Sequence, residues 1–329
     1  MLAQLDDKFI SLSKRKAYTR LVSYLFYEGR PLTTRGRWFN FLVFKLLKLQ
    51  AHLPTKRKVK EPIFILGTGR SGTTILGVTL GIHREVGFLN EPKAFWSHLN
   101  RSDDLIGSYQ KNVGLYMLDE SHVTPSMKDN ANRIYAHYGL VSLSSRVVDK
   151  YPEMVFRTSY VRDIFPDAKF LFLYRNGWDT CHSIDLWSKR LGVESSGECH
   201  DWWGANDRKW HALCEQVVAY DEDLSPSLGL IQEYSDHVHR AAVEWIVTMK
   251  KGLELVERDL VMGVKYEDFV VSKDYRNKVL EFCNLSTDEN FESYCEAVLK
   301  APAKKKSVAL PSEIASVFNE VMKKLGYEK

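Results

Sequence analysis

The 329-residue sequence is poor in cysteine, and its five, Cys181, Cys199, Cys214, Cys283 and Cys295, are odd in number and form no CxxC pair. A disulfide scaffold is therefore not the expectation, and a reduced, cytoplasmic chain is. No run approaches the ~18 uncharged apolar residues that a membrane span requires. Asp6, Asp7 and Lys8 stand where a cleaved leader would be apolar. Internal repeats and low-complexity tracts are lacking. With 44% hydrophobic and 27% charged residues, the composition excludes wholesale disorder, collagen-like repeats and coiled coil. The length suits one large α/β domain with additions, or two modest ones.

Acid is scarce at one end. Residues 1–60 hold 14 Lys and Arg against 3 Asp and Glu, although the whole chain carries only +4. The remainder is net negative, so the basic character is local. It implies an N-terminal segment facing an anionic surface and gives no sign of a nucleic-acid-binding domain. Within this segment, 38–49 (WFNFLVFKLLKL) is mostly apolar. It reads either as a helix packed on the main domain or as an interfacial helix on an anionic membrane. The sequence thus divides into a basic N-terminal helical extension, 1–60, and a main domain, 61–329.

From Glu61 onward, short apolar runs at 62–66, 86–89, 147–149, 169–174 and 261–264 alternate with helical stretches such as 236–258. This alternation predicts α/β architecture: a single domain with a central, mostly parallel sheet flanked by helices. Ligands in such sheets sit at the carboxyl ends of the strands.

The most informative segment is PIFILGTGRSGTTILGVTL. An apolar strand runs into Gly67-Thr68-Gly69-Arg70-Ser71-Gly72-Thr73-Thr74, and a helix follows. Glycines let the backbone approach an anion, and the helix N-terminus supplies free N–H groups and partial positive charge. Gly67 and Gly72 keep the spacing of a nucleotide-triphosphate P-loop, yet Thr73 stands where that loop has its lysine. The fixed cation is Arg70, inside the loop. Loss of the lysine argues against ordinary triphosphate hydrolysis.

A second segment, FPDAKFLFLYRNGWDTCHSI, repeats the theme. Arg175 ends a buried strand, and Ser183 lies eight residues on along the next helix. An arginine fork with a nearby hydroxyl suits a second phosphate; a surface ion pair beside a helix-facing serine is the plainer alternative.

GTGRSGTT followed by FLYRNGWDTCHS resembles the sulfotransferases that use 3′-phosphoadenosine-5′-phosphosulfate (PAPS), in motif style the carbohydrate and tyrosylprotein types. Gly177 departs from the family's pattern, where proline is common. Lys150-Tyr151-Pro152, Phe165-Pro166-Asp167-Ala168 and Val264-Lys265-Tyr266-Glu267-Asp268-Phe269 extend the likeness across roughly 61–329. The resemblance implies a sulfuryl transfer from PAPS to a hydroxyl acceptor by in-line displacement, without metal. It places Gly69, Arg70, Ser71, Gly72, Thr73 and Thr74 at the 5′-phosphosulfate, and Arg175 and Ser183 at the 3′-phosphate. Lys304, Lys305 and Lys306 match a basic loop that some members close over the cofactor. It also makes Arg70 the electrostatic stabiliser of charge growing on the bridging oxygen.

A hydroxyl acceptor needs a base. Glu91, after the second expected strand, has the glutamate context of carbohydrate and tyrosylprotein enzymes, while His98 is the rival suggested by the histidine-based members. Trp187, Trp202, Trp203 and Trp210 read as core or as a stacking wall for the acceptor. The acceptor itself is not legible; a glycan, glycolipid or other lipid alcohol is mildly favoured. Two competing functions remain at this level: a P-loop kinase, and a non-catalytic, membrane-associated nucleotide-binding protein. Partners are thus an acceptor and, through 1–60, peripheral contact with an anionic membrane.

Overall fold

The computed structural model describes residues 2–111, 114–195, 197–256, 261–301 and 306–327. Its strands are, in chain order, β1 (Ile63–Gly67), β2 (Val86–Asn90), β3 (Arg146–Lys150), β4 (Lys169–Tyr174), β5 (Val193–Ser195), β6 (Glu198–Asp201), β7 (Gly204–Ala205) and β8 (Val261–Lys265). Five of them form one parallel sheet in the order β2-β3-β1-β4-β8. These are the five runs expected from the sequence. β5, β6 and β7 form a separate antiparallel hairpin sheet that the sequence reading did not anticipate.

Both faces of the main sheet are covered, as near-continuous apolar strands require. Alternate residues go to opposite sides. Phe64, Leu66, Phe170 and Phe172 join one core with Trp96, Tyr135 and Trp245. Ile63, Ile65, Leu171 and Leu173 join the other with Leu76, Leu80 and Val264.

The basic segment is built into both cores. Phe9 packs in the second, and Val22, Tyr27, Val43 and Leu47 in the first. The helix Asn40–His52 therefore packs on the domain through Val43, Leu47, Gln50 and Ala51. Its opposite face leaves Phe41, Leu42 and Leu49 exposed. Arg20, in the helix Lys14–Phe26, pairs with Glu28 while both are about fully buried, and Glu28 also accepts from the N–H of Asn90 at 2.7 Å. That bond fastens the segment to the end of β2. Among the described residues, no helix is long and apolar enough to cross a membrane.

Candidate active site

β1 feeds the loop 67–74 into the helix Thr73–Ile82. The turn closes through Ser71, whose N–H and Oγ both donate to the Thr68 carbonyl, at 3.2 and 2.6 Å. Gly72 has φ +111°, and a Cβ there would lie 2.5 Å from the Tyr266 ring, so only glycine fits. Arg70 also takes a left-handed conformation, φ 69°, which strains a side-chain-bearing residue and marks a functional turn. No side chain caps this helix. Its first N–H groups are free to meet an anion.

The second motif arrives from β4. Asn176 Oδ1 accepts from Trp178 N–H at 3.0 Å and starts the helix Gly177–Leu191. Arg175 lies over the Tyr266 ring at 4.7 Å and donates to Asp179 at 3.2 Å. Its Nε is buried without a hydrogen-bond partner among the described residues. The motifs meet where Arg70 Nε donates to Ser183 Oγ at 3.2 Å. One groove is lined by Gly72, Thr73, Thr74, Arg175 and Ser183 together with Arg70. Burial and the nearby Arg190 hold the Arg70 pKa below the usual guanidinium value, so an anion beside it would be welcome. Lys306 is exposed, and its carbonyl pairs with His182 Nε2 at 2.9 Å, one residue from Ser183. Lys304 and Lys305 lie outside the described residues.

On the other side of Arg70 is a cavity of about 140 Å³. Glu91, directly after β2 and with φ 51°, lines it. One carboxylate oxygen pairs with Lys150 Nζ, and the other with Lys93 Nζ at 3.2 Å. Burial alone would raise the Glu91 pKa, but Lys150 and Lys93 outweigh it and hold the carboxyl well below the usual range. His98 is not among the residues lining this cavity; its charged neighbours are His52 and Lys48.

In the rest of the wall, Trp187 and Trp202 are two of the tryptophans read from the sequence as core or stacking wall, whereas Pro31, Leu32 and Ile106 were missed. Pro31 and Leu32 come from the basic segment, Ile106 from a loop, and Trp187 from the helix after β4. Trp202, in the turn between β6 and β7, covers Gly69: a Cβ on Gly69 would lie 2.4 Å from its ring. Trp187 meets Trp202 edge-on at 5.4 Å. Lys150 had a signal, since Lys150-Tyr151-Pro152 belongs to the resemblance, but it suggested no role. Among the described residues, no group of three or more His, Cys, Asp or Glu side chains converges on a metal-sized site.

The description "Sulfotransferase family" matches residues 62–289. This chain belongs to the sulfotransferase family. It is 26% identical to a Drosophila melanogaster protein-tyrosine sulfotransferase over 216 residues, covering 63% of this chain and 40% of that protein. With Danio rerio protein-tyrosine sulfotransferase 1 the identity is 23% over 241 residues, covering 66% and 62%. The chain thus spans about 40–62% of the length of these relatives. Sulfotransferase STF9 from Mycobacterium avium superposes with a TM-score of 0.47 at 13% identity, covering 99% of this chain and 97% of that one.

Proposed function

We propose that this sulfotransferase moves a sulfuryl group from PAPS to a phenolic hydroxyl, with Glu91 as base and Arg70 as electrostatic stabiliser. The observation that carries the reading is the meeting of the two motifs at Arg70 and Ser183, with a base-bearing cavity on the far side of the same arginine. The donor fits the residues present. Arg175 offers an unpaired buried donor, Ser183 a hydroxyl, and the uncapped helix start the N–H groups of Gly72, Thr73 and Thr74, in a loop closed by Ser71.

What PAPS supplies when bound is a sulfuryl group activated by its anhydride link to phosphate. Everything else falls to the chain. Arg175 and Ser183 anchor the 3′-phosphate. The loop holds the 5′-phosphate, and Arg70 stabilises negative charge that grows between phosphate and sulfur. Glu91 accepts the acceptor's proton. Lys150 and Lys93, within reach of the same point, favour the developing oxyanion.

A carboxylate clamped by two ammonium groups is a weak base. That favours an acceptor that gives up its proton readily, such as a phenol with pKa ≈ 10. The two indoles suit a flat ring. The relatives are named for protein tyrosine, whose side chain is a phenol. This phenolic reading takes the place of the glycan or lipid alcohol mildly favoured from the sequence.

Peripheral contact with an anionic membrane belongs to the same proposal. From 29 to 60 the chain has no acidic residue. Trp38, 78% exposed, continues the strip formed by Phe41, Leu42 and Leu49. Titration calorimetry with adenosine-3′,5′-bisphosphate and ATP tests the donor. The bisphosphate should bind far more tightly, and equal or tighter binding of ATP would remove PAPS from the reading.

A further inference from the structure

We infer that Lys93, Glu153 and Lys209 are positioning residues, a ladder of buried charges that sets how readily Glu91 takes a proton and ties it to the hairpin through Trp202. This rests on Glu91 as the base. Five elements bring the groups together. Glu91 directly follows β2, Lys93 opens the helix Lys93–Leu99, and Glu153 sits in the turn Pro152–Phe156. Lys209 is on the helix Arg208–Gln216, and Glu244 on the helix His237–Val256.

The signs alternate along the ladder. Lys93 Nζ is 3.2 Å from Glu91 and also feels the charge of Glu153. Lys209 Nζ is 3.2 Å from Glu153 and 2.6 Å from Glu244. The last rung reaches the hairpin: Trp202 Nε1 donates to Glu244 at 2.8 Å, and Lys209 lies 4.7 Å from the centre of the same indole. Lys93, Glu153 and Lys209 all line the cavity. Their side chains are only 14, 10 and 3% exposed.

Ion pairs at this depth are poor stabilisers. Well-packed apolar groups of the same size often serve a fold as well or better. A run of them under the acceptor cavity, starting at the base, points to a task in the chemistry. The task follows from sharing. Lys209 is paired with two carboxylates, and Lys93 with one while feeling the charge of a second, so a change on one rung is passed to the next. If Lys209 lost its charge, Glu153 would draw Lys93 toward itself and away from Glu91. The base would strengthen although nothing touching it had changed. The other charges facing Glu91 are Lys150 on β3 and Arg70 in the loop. They stay in place and give a constant background. Lys93 also lies 5.6 Å from the Tyr151 ring. An acceptor that displaces Trp202 would act on the ladder from its far end.

The test reads Glu91 directly, in the full chain without donor or acceptor, by ¹³C-carboxyl NMR of glutamate-labelled protein. Glu91→Gln identifies the resonance. In Lys209→Met its titration should move up by about 1–3 pH units. Adding Glu153→Gln should bring it back, because nothing then pulls Lys93 away. A purely structural role for Lys209 predicts no such return. If Lys209→Met does not fold, Lys209→Gln takes its place in both measurements. A Glu91 titration indifferent to these changes, or a double variant that stays at the single variant's position, overturns the ladder. Full turnover by Glu91→Gln is a separate outcome: it removes Glu91 as base, while the titration still tells whether the ladder operates.

Discussion

The two sides of Arg70 are built differently. The cofactor side is two strand–turn–helix units, each continuous in sequence and each ending a strand of one parallel sheet. In the proposed reading it would hold anions with backbone N–H groups, one arginine fork and hydroxyls. The acceptor side is assembled from short pieces scattered from Pro31 to Lys209. It holds three lysines and two glutamates of the ladder region around one cavity. A phosphate demands fixed geometry that a single loop can encode. An acceptor pocket needs only a wall, and any nearby segment can supply part of it. The first kind of site therefore leaves a motif in the sequence, and the second does not.

The largest expected effect breaks the acceptor side and spares the other. Glu91→Gln keeps the shape and removes basicity, so kcat should fall by ~10²–10⁴. Affinity for PAPS, measured by calorimetry, should stay near wild type. The pH–rate profile sharpens the point. A lowered carboxyl pKa keeps Glu91 ionised at every pH above the usual carboxylate range. The base is lost only as pH falls through its depressed folded value. Wild-type kcat should therefore show no acidic limb from Glu91 above pH ~5. A limb near neutrality that vanishes in Glu91→Gln would show that Lys150 and Lys93 do not hold the carboxylate as described.

Next in size is a change confined to the cofactor side. Arg175→Ala removes a charge-assisted fork from the 3′-phosphate and should weaken PAPS binding by ~2–3 kcal/mol. Adenosine-5′-phosphosulfate lacks that phosphate and should bind both proteins alike. Parallel weakening of the two ligands would mean that Arg175 serves the loop as a whole, through its stacking on Tyr266.

This division explains what could be read from the residues. All five strands of the main sheet were legible, because apolar runs such as FLFLY must be buried on both faces. The hairpin β5–β7 was not. Its strands have two to four residues, too few to show a period, and Glu198 and Cys199 are exposed. That Arg70, Arg175 and Ser183 share one groove was legible because strand ends and spacing place them. Lys93, Glu153 and Lys209 were invisible, since a lone lysine or glutamate is usually a solvated charge. Only the fold reveals that these are buried. The basic segment was legible as charge but not as structure. That Pro31 and Leu32 would line the cavity depends on the Arg20–Glu28 pair and its bond to Asn90, contacts between residues up to 62 positions apart.

The smallest expected effect lies on the outer surface of that segment. Removing residues 1–55 would strip Phe9, Val22, Val43 and Leu47 from the two cores and so could not separate a membrane role from folding. Trp38 and Phe41 offer a cleaner probe. They are 78 and 59% exposed, so replacing both with alanine leaves the cores intact. An aromatic at an interface contributes through apolar area, while Lys45 and Lys48 contribute through anionic headgroups. In sedimentation with phosphatidylserine-containing vesicles, the wild type should bind, and binding should weaken as salt is raised. The double variant should lose about tenfold in affinity by the area it no longer buries, with PAPS binding unchanged. Neutral phosphatidylcholine vesicles should bind neither protein well, because the attraction needs opposite charge. If the wild type ignores anionic vesicles, or the double variant binds them undiminished, the exposed strip has no membrane role. The cation–π contact of Lys45 with Phe41, at 4.1 Å, then accounts for that part of the strip as an ordinary surface pair.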